Sequence, residues 1–238
     1  MVVKSILADL MVEYHTLHEK VEKQLKEYLF DFSRPDLFFE IKQSDIDEER
    51  HIDIESASRR NDRMLEITVA FRKLAEKLPM FDGAVFHSCL IGVNNRAIAF
   101  SASSGTGKTT HMLRWQKLLG ENLTIINGDK PILRFVDDKL YGYGSPWMGK
   151  EWMGCNKKEL LTDICKIERS ETNETIPLSK DEAIELLMQQ IYMPFDPQMR
   201  LKTIALVYRI AEKVKFWKIK CNMDLEAAEV AYKVIFNK

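Results

Sequence analysis

Apolar positions recur along this chain at two spacings, and the change from one to the other organises it. From Lys4 to Tyr14 the apolar residues Ile6, Leu7, Leu10, Val12 and Tyr14 fit either a strand or the start of a helix. Between Glu19 and Tyr28, Val21, Leu25 and Tyr28 share one face among Lys and Glu, which predicts an amphipathic helix stopped by the Ser33-Arg34-Pro35 turn. Leu37 to Ile41 reads as a strand. Ser44 to Asn61, crowded with Asp, Glu and Arg, reads as a solvated loop or marginal helix. Leu65, Val69, Arg72 and Leu74 to Leu78 then define a helix closing at Pro79.

The middle of the chain turns to strand rhythm. Ala84 to Val93, a turn at Asn94-Asn95, and Ala97 to Ser101 predict an apolar hairpin. Its second strand runs into Ser104-Gly105-Thr106-Gly107-Lys108-Thr109-Thr110, after which Met112, Leu113, Trp115, Leu118 and Leu119 repeat at helical spacing up to Gly120. Leu123 to Ile126 is a short buried strand ending at Asn127-Gly128-Asp129. Ile132 to Phe135 and Leu140 to Tyr143 extend the sheet around an Asp137-Asp138 turn, and Gly144 to Asn156 is a loop rich in Gly, Trp and Lys. A strand near Leu160 to Glu168, helices over Lys180 to Tyr192 and Gln198 to Val214, a strand at Phe216 to Cys221 and a helix from Asp224 to Phe236 complete the pattern. The Met, aliphatic and aromatic residues of the last helices, Leu186, Leu187, Ile191, Val230 and Val234 among them, read as core.

Charge narrows the function classes. The 238 residues carry 35 Lys+Arg against 36 Asp+Glu, so no general field draws in nucleic acid or an anionic membrane, and neither is an expected partner. Any bound anion needs a local device. Apolar stretches such as Ala97 to Ala102 fall far short of the roughly 20 residues that span a bilayer, and Met1 to Leu10 contains Lys4 and Asp9. Cys89, Cys155, Cys165 and Cys221 lack paired CxxC spacing and sit in or beside apolar runs. They read as reduced and mostly buried, in a cytoplasmic protein.

The local device is the glycine segment. Ala102 to Thr109 matches the phosphate-loop pattern G-x-x-x-x-G-K-[ST] except at its first position, where Ala102 replaces Gly. Gly105 and Gly107 let backbone N–H groups of Ser104, Gly105, Thr106 and Gly107 converge on phosphate oxygens. Lys108 sets a point charge on the outer phosphates, Thr109 offers a hydroxyl to Mg2+, and Thr110 continues the helix N-terminus whose dipole favours the anion. The plain alternative is a glycine-rich turn with a surface lysine; a strand before and a helix after argue against it. Asp129, just past a buried strand, is the candidate for the second metal ligand, although a lone Asp after a strand is often a turn former. His87 is placed to sense or protonate a phosphate, with a core histidine satisfied by backbone as the competing reading.

Ser104 to His111, read with Trp115, resembles the phosphate loop of the HPr kinase/phosphorylase and phosphoenolpyruvate carboxykinase superfamily. Those proteins also carry a His about as far before the Lys as His87 stands before Lys108. Further blocks are similar to a bacterial subgroup of HPr-kinase-related proteins: Ile126 to Pro131 with Leu133-Arg134, Gly144 to Glu151, Asn156, and Cys221 to Asp224 with Glu226-Ala227-Ala228. The likeness covers Ala84 to the C-terminus well and the first part more loosely. It implies an α/β fold: a mixed-sheet phosphate-loop domain of the HPr kinase and carboxykinase type with flanking helices. The whole chain, 1–238, is then one domain, with 1–83 more variable and 84–238 the kinase core.

The resemblance further implies an ATP- and Mg2+-dependent phosphotransferase acting on a hydroxyl, usually a Ser, of a peptide, protein or small molecule. Carried over by position, Lys108 binds the β- and γ-phosphates, Thr109 and Asp129 coordinate Mg2+, and His87 lies near the transferred group. Glu151 is a second carboxylate for the metal, and Lys130, Arg134 and Lys150 neutralise phosphate charge. One departure stands out. The family shows two adjacent acids after this strand, and Gly128 occupies the place of the first, which acts as base. Asp129 does both jobs, or Glu151 supplies the base, or the chain binds nucleotide with little transfer, as a regulatory or partner-binding protein. The N-terminal domain and characteristic C-terminal segment of true HPr kinases have no counterpart, so HPr is not the expected acceptor. The HPr enzymes assemble into rings, which leaves a homo-oligomer open. A carboxykinase reading stands as a third option, and reverse phosphorylase or pyrophosphate chemistry stays open.

Overall fold

The structure, a computed structural model, describes residues 1–18, 23–52 and 61–236. It divides into two compact units, Met1–Lys77 and Leu78–Lys238.

In the first unit the run from Lys4 to Tyr14 is a hairpin. β1 (Val2–Leu7) and β2 (Leu10–His15) pair antiparallel around Ala8-Asp9, at φ 52 and 60, and β3 (Leu37–Glu40) adds parallel to β2. Lys23–Tyr28 forms a 3-10 helix, and the rest of the helix predicted from Glu19, residues 19–22, lies outside the described residues. The charged segment read as a loop or marginal helix forms α1 (Gln43–Ile52), followed by α2 (Asp62–Lys77); its residues 53–60 lie outside the described set. What that reading lacked is the partner helix. Ile46 is fully buried, and the buried Glu49 carboxylate meets the Arg72 guanidinium of α2 at 2.7 Å. The pairing means that Glu49 is not left as a lone buried charge when α1 packs on α2.

The second unit is a mixed α/β fold. Among the described residues its sheet has nine strands: β4 (Gly83–Val85), β5 (Cys89–Val93), β6 (Arg96–Ser101), β7 (Leu123–Asn127), β8 (Ile132–Val136), β9 (Lys139–Tyr143), β10 (Lys158–Arg169), β11 (Glu174–Pro177) and β12 (Lys215–Cys221). The order is β4-β8-β9-β10-β6-β5-β7, with β12 also on β10 and β11 beyond β12. β10 runs parallel to β6 and β12 and antiparallel to β9, so the sheet is mixed. The long β10 serves β9 with its first residues and β12 with its last, which curls the sheet around it.

Both faces are covered, which is why β6 reads as a continuous apolar run. Ala97 and Ala99 pack into one core with Leu187 of α4 (Lys180–Gln190) and Val207 and Ile210 of α5 (Pro197–Lys213). Ile98 and Phe100 face the other, with Met112 and Trp115 of α3 (Lys108–Leu119) and Ala228 and Ala231 of α6 (Glu226–Phe236). The period-2 alternation of a strand divides one apolar sequence between two cores. The stretch from Ala84 to Val93, predicted as one strand, is two. It breaks at Phe86-His87-Ser88, so that β4 pairs with β8 while β5 pairs with β6 and β7. His87 therefore sits in the link, not in the strand beside the glycine loop. Among the described residues no helix is long and apolar enough to cross a membrane.

Candidate functional site

β6 ends at Ser101, and the chain crosses Ala102 to Gly107 before α3 begins. Gly105 at φ 75 and Gly107 at φ 124 take conformations that L side chains rarely adopt, and a Cβ at either would meet nothing within 4 Å. Both glycines are needed for backbone shape, and the space beside them is open. Gly107 stands at the N-cap of α3 with no side-chain cap, so the first amides of the helix are left to other acceptors. Lys108 is 9% exposed, and its Nζ donates to the Ala102 carbonyl at 3.0 Å. Burial lowers its pKa; Cys89 and Asp129 oppose that and Lys130 adds to it. These same groups place the ammonium within electrostatic reach of the turn after β7.

That turn carries Asp129. Asn127, fully buried, accepts the Asp129 and Lys130 N–H groups on Oδ1 at 2.8 and 2.7 Å, and its Nδ2 donates to the Ser145 Oγ at 3.0 Å and the Ser145 carbonyl at 3.1 Å. The Ser145 hydroxyl in turn donates to the Lys130 carbonyl at 2.6 Å. A satisfied neutral network thus fixes the backbone beneath the carboxylate. His87 Nε2 lies 3.3 Å from Asp129 Oδ1 and Lys130 Nζ 2.6 Å from Oδ2. Burial pushes the Asp129 pKa up, but the hydrogen bond from His87 and the charge and hydrogen bond of Lys130 outweigh it, leaving about 2. Cys89, whose thiol donates to the Gly128 carbonyl at 3.1 Å, is pushed to about 12 by burial, with Asp129 and Glu151 adding and Lys108 and Thr109 opposing. One neighbourhood therefore gathers Lys108, Thr109, Asp129, His87, Lys130 and, more loosely, Glu151.

The loop after β9 closes over this turn. A Cβ on Gly128 would lie 2.8 Å from the Met148 carbonyl oxygen and 3.1 Å from that of Met153, both backbone atoms. Position 128 has no room for a side chain, which accounts for glycine where the resembled family has an acid. Gly149, at φ 81, brings the same loop against the Asp129 side chain, with Lys150 and Glu151 in the exposed turn beyond it. Arg134 stands apart. It is in β8 opposite Gly83, and its Nε donates to the Phe81 carbonyl at 2.9 Å. The expected cluster of Lys108, Lys130, Arg134 and Lys150 is thus drawn together at Lys108 and Lys130, with Lys150 on the neighbouring turn and Arg134 engaged elsewhere.

Arg169 was not singled out from sequence. At the end of β10, its guanidinium donates to the Thr106 carbonyl at 3.1 Å and to the Gly105 carbonyl, tying the apex of the glycine loop to the sheet. Only the parallel pairing of β10 with β6 brings it there, and no local motif marks it. His111, in the first turn of α3, is buried; its Nε2 accepts the Trp115 Nε1–H at 3.0 Å, and burial lowers its pKa to about 3, so the ring is neutral.

No protein-family profile matches the chain, and no curated protein is similar to it in sequence. Among solved structures it is distantly similar to the Hpr(Ser) kinase/phosphatase from Coxiella burnetii, at a TM-score of 0.36 and 10% identity, over 63% of this chain and 93% of that one.

Proposed function

We propose that the second unit is an ATP- and Mg2+-dependent phosphotransferase that moves the γ-phosphate to a hydroxyl. The observation that carries this reading is the buried Lys108 ammonium on an open glycine loop, coupled to the Asp129–His87 pair on the adjacent turn. The residues suit the ligands. The open positive-φ glycines and uncapped helix start offer backbone donors to phosphate, with Lys108 among them. Among the described residues no group of three or more His, Cys, Asp or Glu could hold a metal unaided. Mg2+ does not require one, since it keeps waters and leans on substrate phosphates beside one or two protein ligands. Thr109 and Asp129 would hold it, and it would supply neutralisation of phosphate charge.

The protein's own groups divide the remaining work. Lys108 and the loop amides orient the phosphates and stabilise the charge that develops on them. A carboxylate with a pKa of about 2 is a poor proton acceptor, so Asp129 serves as ligand and orienter, and His87, whose Nε2 donates to it across 3.3 Å, takes the hydroxyl proton at Nδ1. Arg169 holds the loop apex in its phosphate-accepting shape. A phosphate-transfer assay with labelled ATP tests this: Lys108→Ala and Asp129→Asn each abolish transfer while circular dichroism stays unchanged, and normal transfer by both defeats the proposal.

A second reading, a nucleotide-binding regulatory protein with little or no transfer, is favoured by the crowding at Gly128, which leaves no place for the base of the resembled family. It predicts Mg-ATP binding with no acceptor-dependent ADP release.

A further inference from the structure

The order of the strands gives the glycine loop two different flanks. β6, which leads into the loop, lies between β5 and β10, with β7 beyond β5 and β12 beyond β10. On one flank Cys89 pairs with Phe100 and Asn127 with Leu90, so the link carrying His87 and the turn carrying Asp129 stand at the end of the sheet where β6 finishes. On the other flank Lys166 of β10 pairs with Ser101, and Cys221 of β12 pairs with Arg169, which brings the ends of β10 and β12 to that same end.

The outer phosphate of the substrate proposed above belongs with Lys108, Asp129 and His87, on the first flank. A nucleotide laid across the loop then has its nucleoside on the second. A cleft of about 430 Å3 opens there, running from Gly107 past Thr110 and Arg114 of α3 to the Cys221–Met223 segment after β12. Its volume is in the range of small-molecule sites.

A cleft of about 500 Å3 also touches the loop, along Ser103 to Thr106 on the α4 side. Charge and wall chemistry separate the two. Among the described residues the smaller cleft is lined by the guanidiniums of Arg114 and Arg169 and by no carboxylate, whereas the larger sets Glu168 against Lys166 and Arg169. Arg169 keeps its charge while donating to the loop carbonyls, so the smaller cleft is the more positive of the two. It also presents surfaces for a base. Ile167, the neutral His111 ring and the 68% exposed Met223 border it. Arg114 Nε donates to the Met223 carbonyl at 2.7 Å, which fixes the guanidinium beside that methionine. A planar guanidinium and a polarisable thioether are both groups on which an aromatic ring packs well. The larger cleft instead sets the Gln189 and Gln190 carboxamides and the Glu168 carboxylate among its walls.

Resting on the ATP-dependent reading above, we propose that the smaller cleft is the nucleoside subsite and that Arg114 and Met223 are the side chains that hold the base. Neither residue belongs to the phosphate-loop motif, and they stand 109 residues apart in the chain.

The test compares a ligand that has a nucleoside with one that has none. Calorimetry on the full chain measures the affinity of Mg-ATP and of Mg2+ with inorganic triphosphate, for the unaltered protein and for three variants whose circular dichroism is unchanged. Met223→Ala removes the thioether, and Arg114→Lys keeps the charge while losing the guanidinium plane. Each is expected to weaken Mg-ATP binding about tenfold, the scale of one base-stacking contact, and to leave triphosphate binding within about twofold. Gln190→Ala, in the wall of the larger cleft, is expected to leave both ligands unmoved. The proposal is overturned if either Met223→Ala or Arg114→Lys leaves Mg-ATP affinity unmoved or weakens both ligands alike. It is equally overturned if Gln190→Ala weakens Mg-ATP and spares triphosphate, which would put the nucleoside in the larger cleft. Failure of the ATP-dependent reading looks different, and takes this proposal with it: neither ligand then binds the unaltered protein, or both bind Lys108→Ala equally well.

Discussion

Two turns on either side of β5 use glycine for opposite reasons. After β6, Gly105 and Gly107 sit at φ 75 and 124 with nothing within 4 Å of a Cβ, so the backbone is exposed and its amides are available. After β7, Gly128 is enclosed, its absent Cβ 2.8 Å from the Met148 carbonyl oxygen, and the chain beside it is pinned by Asn127 and Ser145. The open turn offers donors and space to an anion. The closed turn offers rigidity, and holds one carboxylate, Asp129, where His87 and Lys130 meet it. The phosphotransferase proposed above would use both kinds, because catalysis of phosphoryl transfer is mostly positioning and charge stabilisation.

Substitutions can break that contrast from either side. The largest effect is expected at the charge on the open turn. Lys108→Ala should lower transfer by about a hundredfold or more, the scale of losing a preorganised electrostatic contact, without loss of thermal stability. Steady-state kinetics beside a melting curve reads both.

On the closed turn the balance reverses. Gly128→Ala drives a methyl into backbone oxygen and should cost about 1–3 kcal/mol, a fall of several degrees in melting temperature measured by scanning calorimetry. Gly105→Ala meets no atom and should cost only the roughly 1–2 kcal/mol of a left-handed non-glycine residue, yet weaken Mg-ATP binding more than Gly128→Ala does.

The pH dependence of stability sharpens the account of Asp129. Its pKa is about 2 in the folded chain against an ordinary 3.8, so its contribution is fully present above about pH 4 and is lost as pH falls towards 2. With the side chain 23% exposed, that contribution is at most about 2 kcal/mol. Asp129→Asn should therefore flatten the acid limb of a denaturant-midpoint against pH profile over that window.

Much of this architecture is written locally. Asn94-Asn95 and Asp137-Asp138 both adopt positive φ, near 52 and 60 and near 47 and 60, as turn residues of this type tolerate, and each joins the two strands expected around it. The helices read at Lys180, Gln198 and Asp224 form within two residues of those starts, the first with a Ser179–Glu182 capping box and the second with an Asp196 cap. Strand, glycine loop and helix follow one another as the motif requires. What was not legible depends on distant partners. The burial of Glu49 in α1 is matched by Arg72, 23 residues away, the break at His87 needs two different neighbouring strands, and the clamp of Arg169 on the loop needs β10 to pass beside β6. The reason for glycine at position 128 lies in carbonyls 20 and 25 residues further along the chain, at Met148 and Met153, which no local pattern announces.

The most direct test of the open-turn, closed-turn account is equilibrium binding of Mg-ATP by calorimetry to the full chain and to Lys108→Ala. The account predicts one site per chain in the unaltered protein and affinity weakened about a hundredfold by the substitution, with the fold retained. Equal affinity in the two proteins, or no binding by either, would contradict it.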